Sequence, residues 1–121
     1  MKSTESAEMY LESIQLLSEK QPHVRAIDVV HHTGYTKPSV SRAMGLLKKR
    51  GCIEVDENGY ISLTEEGSVM AKKVLERHRV LTVFLEQIGV PAEIADDDAC
   101  KMEHVISDET FDKIKAYIKE D

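Results

Sequence analysis

The segment from Cys100 to His104 brings three kinds of metal-binding side chain within about one helical turn. Cys100, Glu103 and His104 stand at positions i, i+3 and i+4, so on an α-helix they project from one face and can reach a single ion. A thiol, a carboxylate and an imidazole in this spacing predict half of a metal site. The residues upstream that could complete the ligand set are Met9, Glu12 and His78.

Each of these side chains also has an ordinary structural interpretation. A methionine on an amphipathic helix commonly fills a core, and Met9 could do only that. A histidine on an apolar stripe such as His78 is by default a core residue with its hydrogen bonds satisfied, Cys100 could be a small buried apolar side chain, and Glu103 a solvated one. The combination of all three donor types on one face is what favours a metal site.

Composition limits the class of protein. With 121 residues and 41% hydrophobic content, the chain is expected to form one small domain or two compact halves that share a core, with help from a partner subunit, and not a multidomain enzyme. No apolar run approaches the roughly 20 residues that cross a bilayer, and the amino terminus lacks the apolar segment of a secretion signal. We therefore expect a cytoplasmic protein without membrane association, in which Cys52 and Cys100 are free thiols.

Charge is distributed unevenly along the chain. Residues 1–50 carry 8 Lys and Arg against 5 Asp and Glu, net +3, whereas residues 51–121 carry 8 against 17, net −9, which together give the overall −6. The segment 20–50 alone has 7 basic residues and one acid, Asp28. The first half therefore has the cationic surface that DNA phosphates require, and the second half favours cations.

The first half of the chain shows the pattern of a helix-turn-helix. A first helix is predicted over about Thr4 to Glu19, and a second over Arg25 to His32 that stops near Gly34. Thr36 is expected to cap a third helix that runs to Arg50, with Pro38 in its first turn. Two helices joined by a glycine-containing turn are typical of this DNA-binding motif.

The rest of the chain predicts a hairpin and three further helices. Alternating apolar residues from Ile53 to Leu63 flank a tight turn at Asn58-Gly59, which predicts a β-hairpin wing. A long helix over about 65–88 follows, then one starting at Pro91 that bears Cys100, Glu103 and His104, and one opened by Ser107. The predicted fold is mainly α, with a winged helix-turn-helix DNA-binding domain over residues 1–64 and a helical metal-binding and dimerisation domain over residues 65–121.

The run from Asp98 to Glu109, together with Arg77-His78-Arg79 and the preceding wing, resembles the diphtheria toxin repressor family of iron- and manganese-dependent regulators. The resemblance implies a homodimeric winged-helix repressor that binds operator DNA when it is loaded with a divalent metal. It also implies the short form of the family, without an SH3-like domain. Met9, Cys100, Glu103 and His104 correspond to ligands of the iron-responding branch, and Glu12 and His78 to ligands of the manganese-responding branch.

Two positions depart from the iron-responding branch. Thr82 stands where that branch usually has a glutamate, and Asp96 where it usually has a histidine. A second metal site would therefore need a different ligand set, built from Glu12, His78 and either Asp96 or Asp97.

The third helix is predicted to enter the major groove of operator DNA. Pro38 and Ser39 could contact thymine methyl groups, while Lys37 or Arg42 would contact phosphate. Lys48, Lys49 and Arg50 at its far end could equally balance the helix dipole. The predicted DNA-binding residues are Arg25, Thr36, Lys37, Pro38, Ser39, Ser41, Arg42, Asn58 and Tyr60.

The donor set orders the candidate metals. A shell of sulfur, nitrogen and oxygen suits Fe²⁺, Co²⁺, Ni²⁺ or Zn²⁺, and availability in cells favours Fe²⁺, then Mn²⁺ and then Zn²⁺; Co²⁺ or Ni²⁺ could also bind in vitro. Two other classes compete with a metal-dependent repressor. One is a metal-independent winged-helix regulator that senses a small organic ligand, and the other is a metallohydrolase, which is disfavoured because no general base or substrate pocket is suggested.

Overall fold

The computed structural model describes residues 3–118, with side chains from residue 7 onward. The chain divides into two compact units between Lys72 and Lys73, which we call unit 1 and unit 2. The predicted mainly helical fold with one antiparallel hairpin is confirmed, while the domain boundary at residue 64 stays a prediction. The elements are α1 (Ser3–Lys20), α2 (Ala26–Thr33), α3 (Lys37–Lys49), β1 (Ile53–Val55), β2 (Ile61–Leu63), α4 (Glu65–Gln87), α5 (Ala92–Met102) and α6 (Asp108–Tyr117).

Unit 1 is built around a single apolar core to which every one of its elements contributes. Leu11 and Ile14 of α1, Val40 of α3 and Ile53 of β1 are among its fully or almost fully buried members. The predicted stripe on α1 is confirmed, since Tyr10, Ile14 and Leu17 are all buried. This core fixes α3 by its inner face and leaves the opposite face to solvent.

The turn before α3 follows the sequence signals closely. Gly34 ends α2 in the left-handed region with φ of 78°, which a glycine adopts at little cost. The Thr36 Oγ1 atom accepts a hydrogen bond from the Ser39 backbone amide at 3.2 Å, and Pro38 lies in the first turn. The predicted helix-turn-helix is therefore present, with its second helix capped as expected.

The wing turns one residue earlier than predicted. Strands β1 and β2 pair antiparallel, with Ile53 opposite Leu63, and the turn spans Asp56 to Gly59, because the Gly59 amide donates to the Asp56 carbonyl at 3.0 Å. The Asp56 carboxylate also accepts from the amides of Asn58 and Tyr60, both at 2.9 Å. These side-chain bonds stabilise the earlier turn.

Unit 2 contains the second part of α4 together with α5 and α6. Two small apolar clusters hold it, one around Leu81 and Ala99 and the other around Val80 and Phe111. Two charged residues, Arg77 and Glu103, are buried as well, with 8% and 0% of their surface exposed. Over the described residues, no helix is long and apolar enough to span a membrane.

Candidate metal centre and DNA-binding surface

Helix α5 is shorter than predicted, and this changes the setting of the candidate ligands. It ends at Met102, with Glu103 as its C-cap and His104 in the following turn. The Arg77 guanidinium donates to the carbonyl oxygens of Glu103 and Ile106, each at 3.0 Å, and so satisfies the carbonyl of the helix cap and one in the turn that follows. The prediction that one helix bears all three ligands is therefore wrong for Glu103 and His104.

The Glu103 carboxylate is completely buried and only partly satisfied. Its Oε2 atom lies 3.1 Å from Nδ1 of His78. Its Oε1 atom has no hydrogen-bond partner among the described residues, although His104 Nε2 lies 3.3 Å away at ion-pair distance. A buried carboxylate oxygen without a donor costs several kcal/mol. A divalent cation fits this place chemically, because carboxylate and imidazole are both common metal ligands.

His78 is held between two carboxylates. Its Nδ1 atom faces Glu103, and its Nε2 atom lies 2.8 Å from the Asp96 carboxylate. The hydrogen bond to Glu103 is the main cause that raises the pKa of His78 from 6.5 to about 9; burial opposes the rise and Asp96 adds to it. At neutral pH the ring is an imidazolium, so it must lose a proton before it can bind a metal.

Arg77 connects this centre to the start of α6. Besides the two carbonyls, its guanidinium contacts the Asp108 carboxylate and lies 5.3 Å from the centre of the Phe111 ring. Lys73, 3.3 Å from the same carboxylate, is the first cause that lowers the pKa of Asp108, and Arg77 the second. Arg77 therefore holds the turn that carries Glu103, a role that the sequence pattern alone did not indicate.

The remaining predicted ligands are Cys100, Met9 and Glu12. Cys100 is exposed in the last part of α5. Met9 and Glu12 are half-buried on α1, and the Met9 sulfur accepts a hydrogen bond from the Tyr35 hydroxyl at 3.1 Å. Within unit 2 the structure thus brings together His78, Glu103 and His104, together with Asp96, which sequence reasoning had considered only for a second site.

The outer face of α3 is accessible, as a DNA-reading helix requires. Its inner face is buried through Val40, Met44 and Leu47. Ser39 is half-buried, and its hydroxyl accepts a hydrogen bond from the Thr36 hydroxyl at 2.9 Å. The predicted contact residues that are exposed on this element are Thr36, Lys37, Pro38, Ser41 and Arg42.

The predicted contacts near the wing form a stack. Arg25 lies 4.8 Å above the centre of the Tyr60 ring, and His23 stacks on the same ring with centroids 4.1 Å apart and planes 9° apart. The Tyr60 side chain therefore holds Arg25 in place. It is itself half-buried. Asn58 is exposed in the wing turn. His23 was missed from the sequence because its partner is 37 positions away.

The chain is similar in sequence to known metal-dependent transcriptional regulators. The iron dependent repressor, metal binding and dimerisation domain matches residues 64–120. Over 108 residues the chain is 34% identical to the transcriptional regulator MntR of Escherichia coli O6:H1, covering 89% of this chain and 70% of that regulator. Over 106 residues it is 29% identical to the iron-dependent repressor IdeR of Mycobacterium leprae, covering 87% of this chain and 46% of the repressor.

Among solved structures, a manganese-dependent transcriptional repressor in complex with manganese aligns with a TM-score of 0.83 and 28% identity, covering 91% of this chain and 51% of the other. This chain therefore spans about half the length of that structure and of the mycobacterial repressor. The winged helix-turn-helix, the buried Glu103 centre and these matches together lead to one conclusion: the chain belongs to the diphtheria toxin repressor family of metal-dependent transcriptional regulators.

Proposed function

We propose that this protein is a cytoplasmic repressor that binds operator DNA as a homodimer when it holds a divalent metal, Fe²⁺ first and Mn²⁺ second. The observation that carries the proposal is the buried Glu103 carboxylate, whose Oε1 atom lacks a hydrogen-bond partner among the described residues. When bound, the metal would supply the positive charge that this oxygen needs.

The ligands proposed from unit 2 are Glu103, His104, His78 and Cys100. Glu103 and His104 present their donor atoms to each other at 3.3 Å. His78 would have to lose a proton to bind the metal, since both of its ring nitrogens face carboxylates. Arg77 keeps the Glu103 backbone in place and leaves its side chain to bind.

Met9 and Glu12 are proposed as further ligands because of their residue types and the family pattern. The two sulfur donors of the set, Met9 and Cys100, favour Fe²⁺ over the harder Mn²⁺. The relatives include regulators named for manganese and for iron, so the order of the two metals rests on the donor set and on the availability of the metals in cells.

On the DNA side, the proposal rests on the exposed cationic face of α3. Lys37 and Arg42 project from its first half, and Arg25 is ordered by Tyr60 near the wing. Dimerisation is supported by apolar residues of unit 2 that are exposed, among them Ile88 at 59% and Tyr117 at 74%. A dimer would present two copies of α3 to two half-sites about one DNA turn, roughly 34–36 Å, apart.

The test is an anaerobic titration of operator DNA binding, followed by fluorescence anisotropy, with Fe²⁺, Mn²⁺ or chelator. The affinity for operator should rise at least about tenfold with metal. Glu103→Gln should lower the affinity for metal by about a hundredfold or more, since loss even of a residue that supports a ligand costs roughly 10–100-fold. The matched control is Glu86→Gln, which changes an exposed glutamate on α4. Its operator binding should respond to metal as the wild type does.

Equal operator affinity with metal and with chelator would overturn the proposal in favour of a metal-independent regulator. A normal metal response in Glu103→Gln would instead retain the switch and reject this centre as its site. Cys100→Ala tests the exposed thiol separately: a normal response there removes Cys100 from the ligand set.

A further inference from the structure

The sulfur of Met9, one of the proposed ligands, already accepts a hydrogen bond from a tyrosine hydroxyl. The Tyr35 hydroxyl donates to Sδ of Met9 at 3.1 Å, although the two residues are 26 positions apart in the chain. A thioether is only a weak hydrogen-bond acceptor, so a side chain held this close to it reflects a specific arrangement of unit 1.

Tyr35 is fixed by its neighbours on both sides. Its backbone amide donates to Oγ1 of Thr33 at 3.2 Å, and it lies between Gly34 and Thr36, the cap of α3. Its ring meets the edge of Tyr10 of α1, with centroids 5.9 Å apart and planes at 68°. The side chain is thereby aimed at α1 from the residue that immediately precedes the cap of the DNA-reading helix.

The two possible partners of the Met9 sulfur compete with each other. A thioether sulfur has two lone pairs, and a hydrogen bond to one of them withdraws electron density and restricts the orientation of the other. The sulfur is therefore a weaker metal ligand while the Tyr35 hydroxyl is bound to it. The hydroxyl can exchange it for water, because Tyr35 is 36% exposed and lines an open groove of about 600 Å³ that also borders Arg42 and Ser39.

We propose that Tyr35 is a latch on Met9: its hydroxyl competes with the metal for the thioether and so sets how readily soft divalent metals load the protein. This rests on the proposed function, in which Met9 is a ligand. Because Tyr35 immediately precedes Thr36, the cap of α3, release of the Tyr35 hydroxyl by the metal would change the surroundings of that cap. Release of one hydrogen bond by Tyr35→Phe should change metal affinity about two- to tenfold, the range expected for the net contribution of such a bond.

The experiment compares Tyr35→Phe with wild type and with Tyr10→Phe, which removes a hydroxyl from the neighbouring ring. The probe is Co²⁺, titrated by calorimetry and by its absorption spectrum, with Mn²⁺ as the harder ion. In the metal-free protein, the Met9 methyl resonance is followed by NMR with ¹³C-methyl methionine. The same Tyr35→Phe change is also made in a Met9→Leu background.

We expect Tyr35→Phe to shift the Met9 methyl resonance before metal is added and to raise the affinity for Co²⁺ about two- to tenfold. The gain should be smaller for Mn²⁺, which prefers oxygen donors. Tyr10→Phe should leave Co²⁺ affinity unchanged, and in the Met9→Leu background Tyr35→Phe should have no effect.

The possible failures are distinguishable. If Met9→Leu weakens Co²⁺ binding but Tyr35→Phe neither moves the methyl resonance nor raises the affinity, the latch is wrong and the ligand assignment stands. If Met9→Leu leaves Co²⁺ affinity unchanged, Met9 is not a ligand and the latch is wrong with it. An equal gain in Tyr35→Phe with and without the Met9 sulfur also overturns the latch.

Discussion

Unit 1 and unit 2 are stabilised in different ways. The core of unit 1 is apolar throughout, apart from Ser13, whose hydroxyl bonds to the Met9 carbonyl at 3.0 Å. Unit 2 buries Arg77 and Glu103 beside two small apolar clusters. An apolar core needs no ligand, whereas buried charges are tolerated only when they are paired or bind an ion. The difference indicates that the helix-turn-helix belongs to a unit whose core needs no ligand, whereas the unit that buries Glu103 leaves a charged group incompletely satisfied.

The largest expected effect tests whether unit 1 depends on steric packing. An added Cβ at Gly67 would lie 2.0 Å from the Cys52 carbonyl oxygen, a backbone atom. Because overpacking commonly costs about 1–3 kcal/mol and here the backbone itself must move, Gly67→Ala should lower the free energy of unfolding by about 3 kcal/mol or more. Urea denaturation followed by circular dichroism measures the loss, and hydrogen exchange should locate it in α1 to α3.

Gly45→Ala is the matched control for this change. A Cβ at Gly45 meets no described atom within 4 Å, and Gly45 lies inside α3 with an exposed surface. Alanine is favoured over glycine in a helix by about 1 kcal/mol, so this variant should be more stable than wild type. Equal losses in both variants would contradict the packing argument.

An intermediate effect tests whether unit 2 depends on its buried charge. Arg77→Met removes the donors to the carbonyls of Glu103 and Ile106. Since a hydrogen bond to a charged group contributes about 1.5–3 kcal/mol and the carbonyl acceptors would remain buried, the loss should be about 2–4 kcal/mol. Hydrogen exchange should show it in α5 and α6 while α1 to α3 stay protected.

Lys101→Met provides the contrast within unit 2. Lys101 pairs with Asp97 at 3.2 Å on the surface, with 73% of its side chain exposed. Exposed pairs of this kind contribute about 0.3–0.5 kcal/mol. A loss in Arg77→Met no larger than in Lys101→Met would show that the buried guanidinium does not hold the turn.

The smallest expected effect is a pH dependence of the metal-free protein. The folded pKa of His78, about 9, lies above its ordinary 6.5, so its contribution is complete below pH 6.5 and is lost as pH rises through 9. After allowance for solvent screening of the partly exposed ring, the loss should be about 1–2 kcal/mol. Thermal unfolding in chelator across this pH range measures it.

His78→Gln should flatten that profile, because glutamine does not titrate. At pH 7 the number of protons released on metal binding should also be about one larger in the wild type than in His78→Gln, a difference that calorimetry in buffers of different ionisation enthalpy detects. A slope that persists in His78→Gln would assign the pH dependence to other groups.

The sequence by itself determined the order of the helices and the hairpin, and which residue types are candidate metal ligands. The stripe of α1, the Thr36 cap and the alternation in the hairpin are local signals whose physics acts within a few residues, and all three are confirmed. The spacing of Cys100, Glu103 and His104 likewise identified the segment of chemical interest. The likeness of that segment to a known family was confirmed by relatives and structures.

Only the tertiary structure decided how the ligand segment is arranged. The helix ends at Met102, and Arg77, 26 residues before Glu103, donates to the carbonyls of Glu103 and Ile106 in the turn beyond. The His78 contact with Asp96 and the Tyr35 hydrogen bond to Met9 also join residues that are far apart in the sequence. Periodicity describes which face a residue occupies on its own element, but it carries no information about a donor brought in from a distant one. The burial of Glu103 and the charge state of His78 depend on such long-range partners, and the structure alone supplied them.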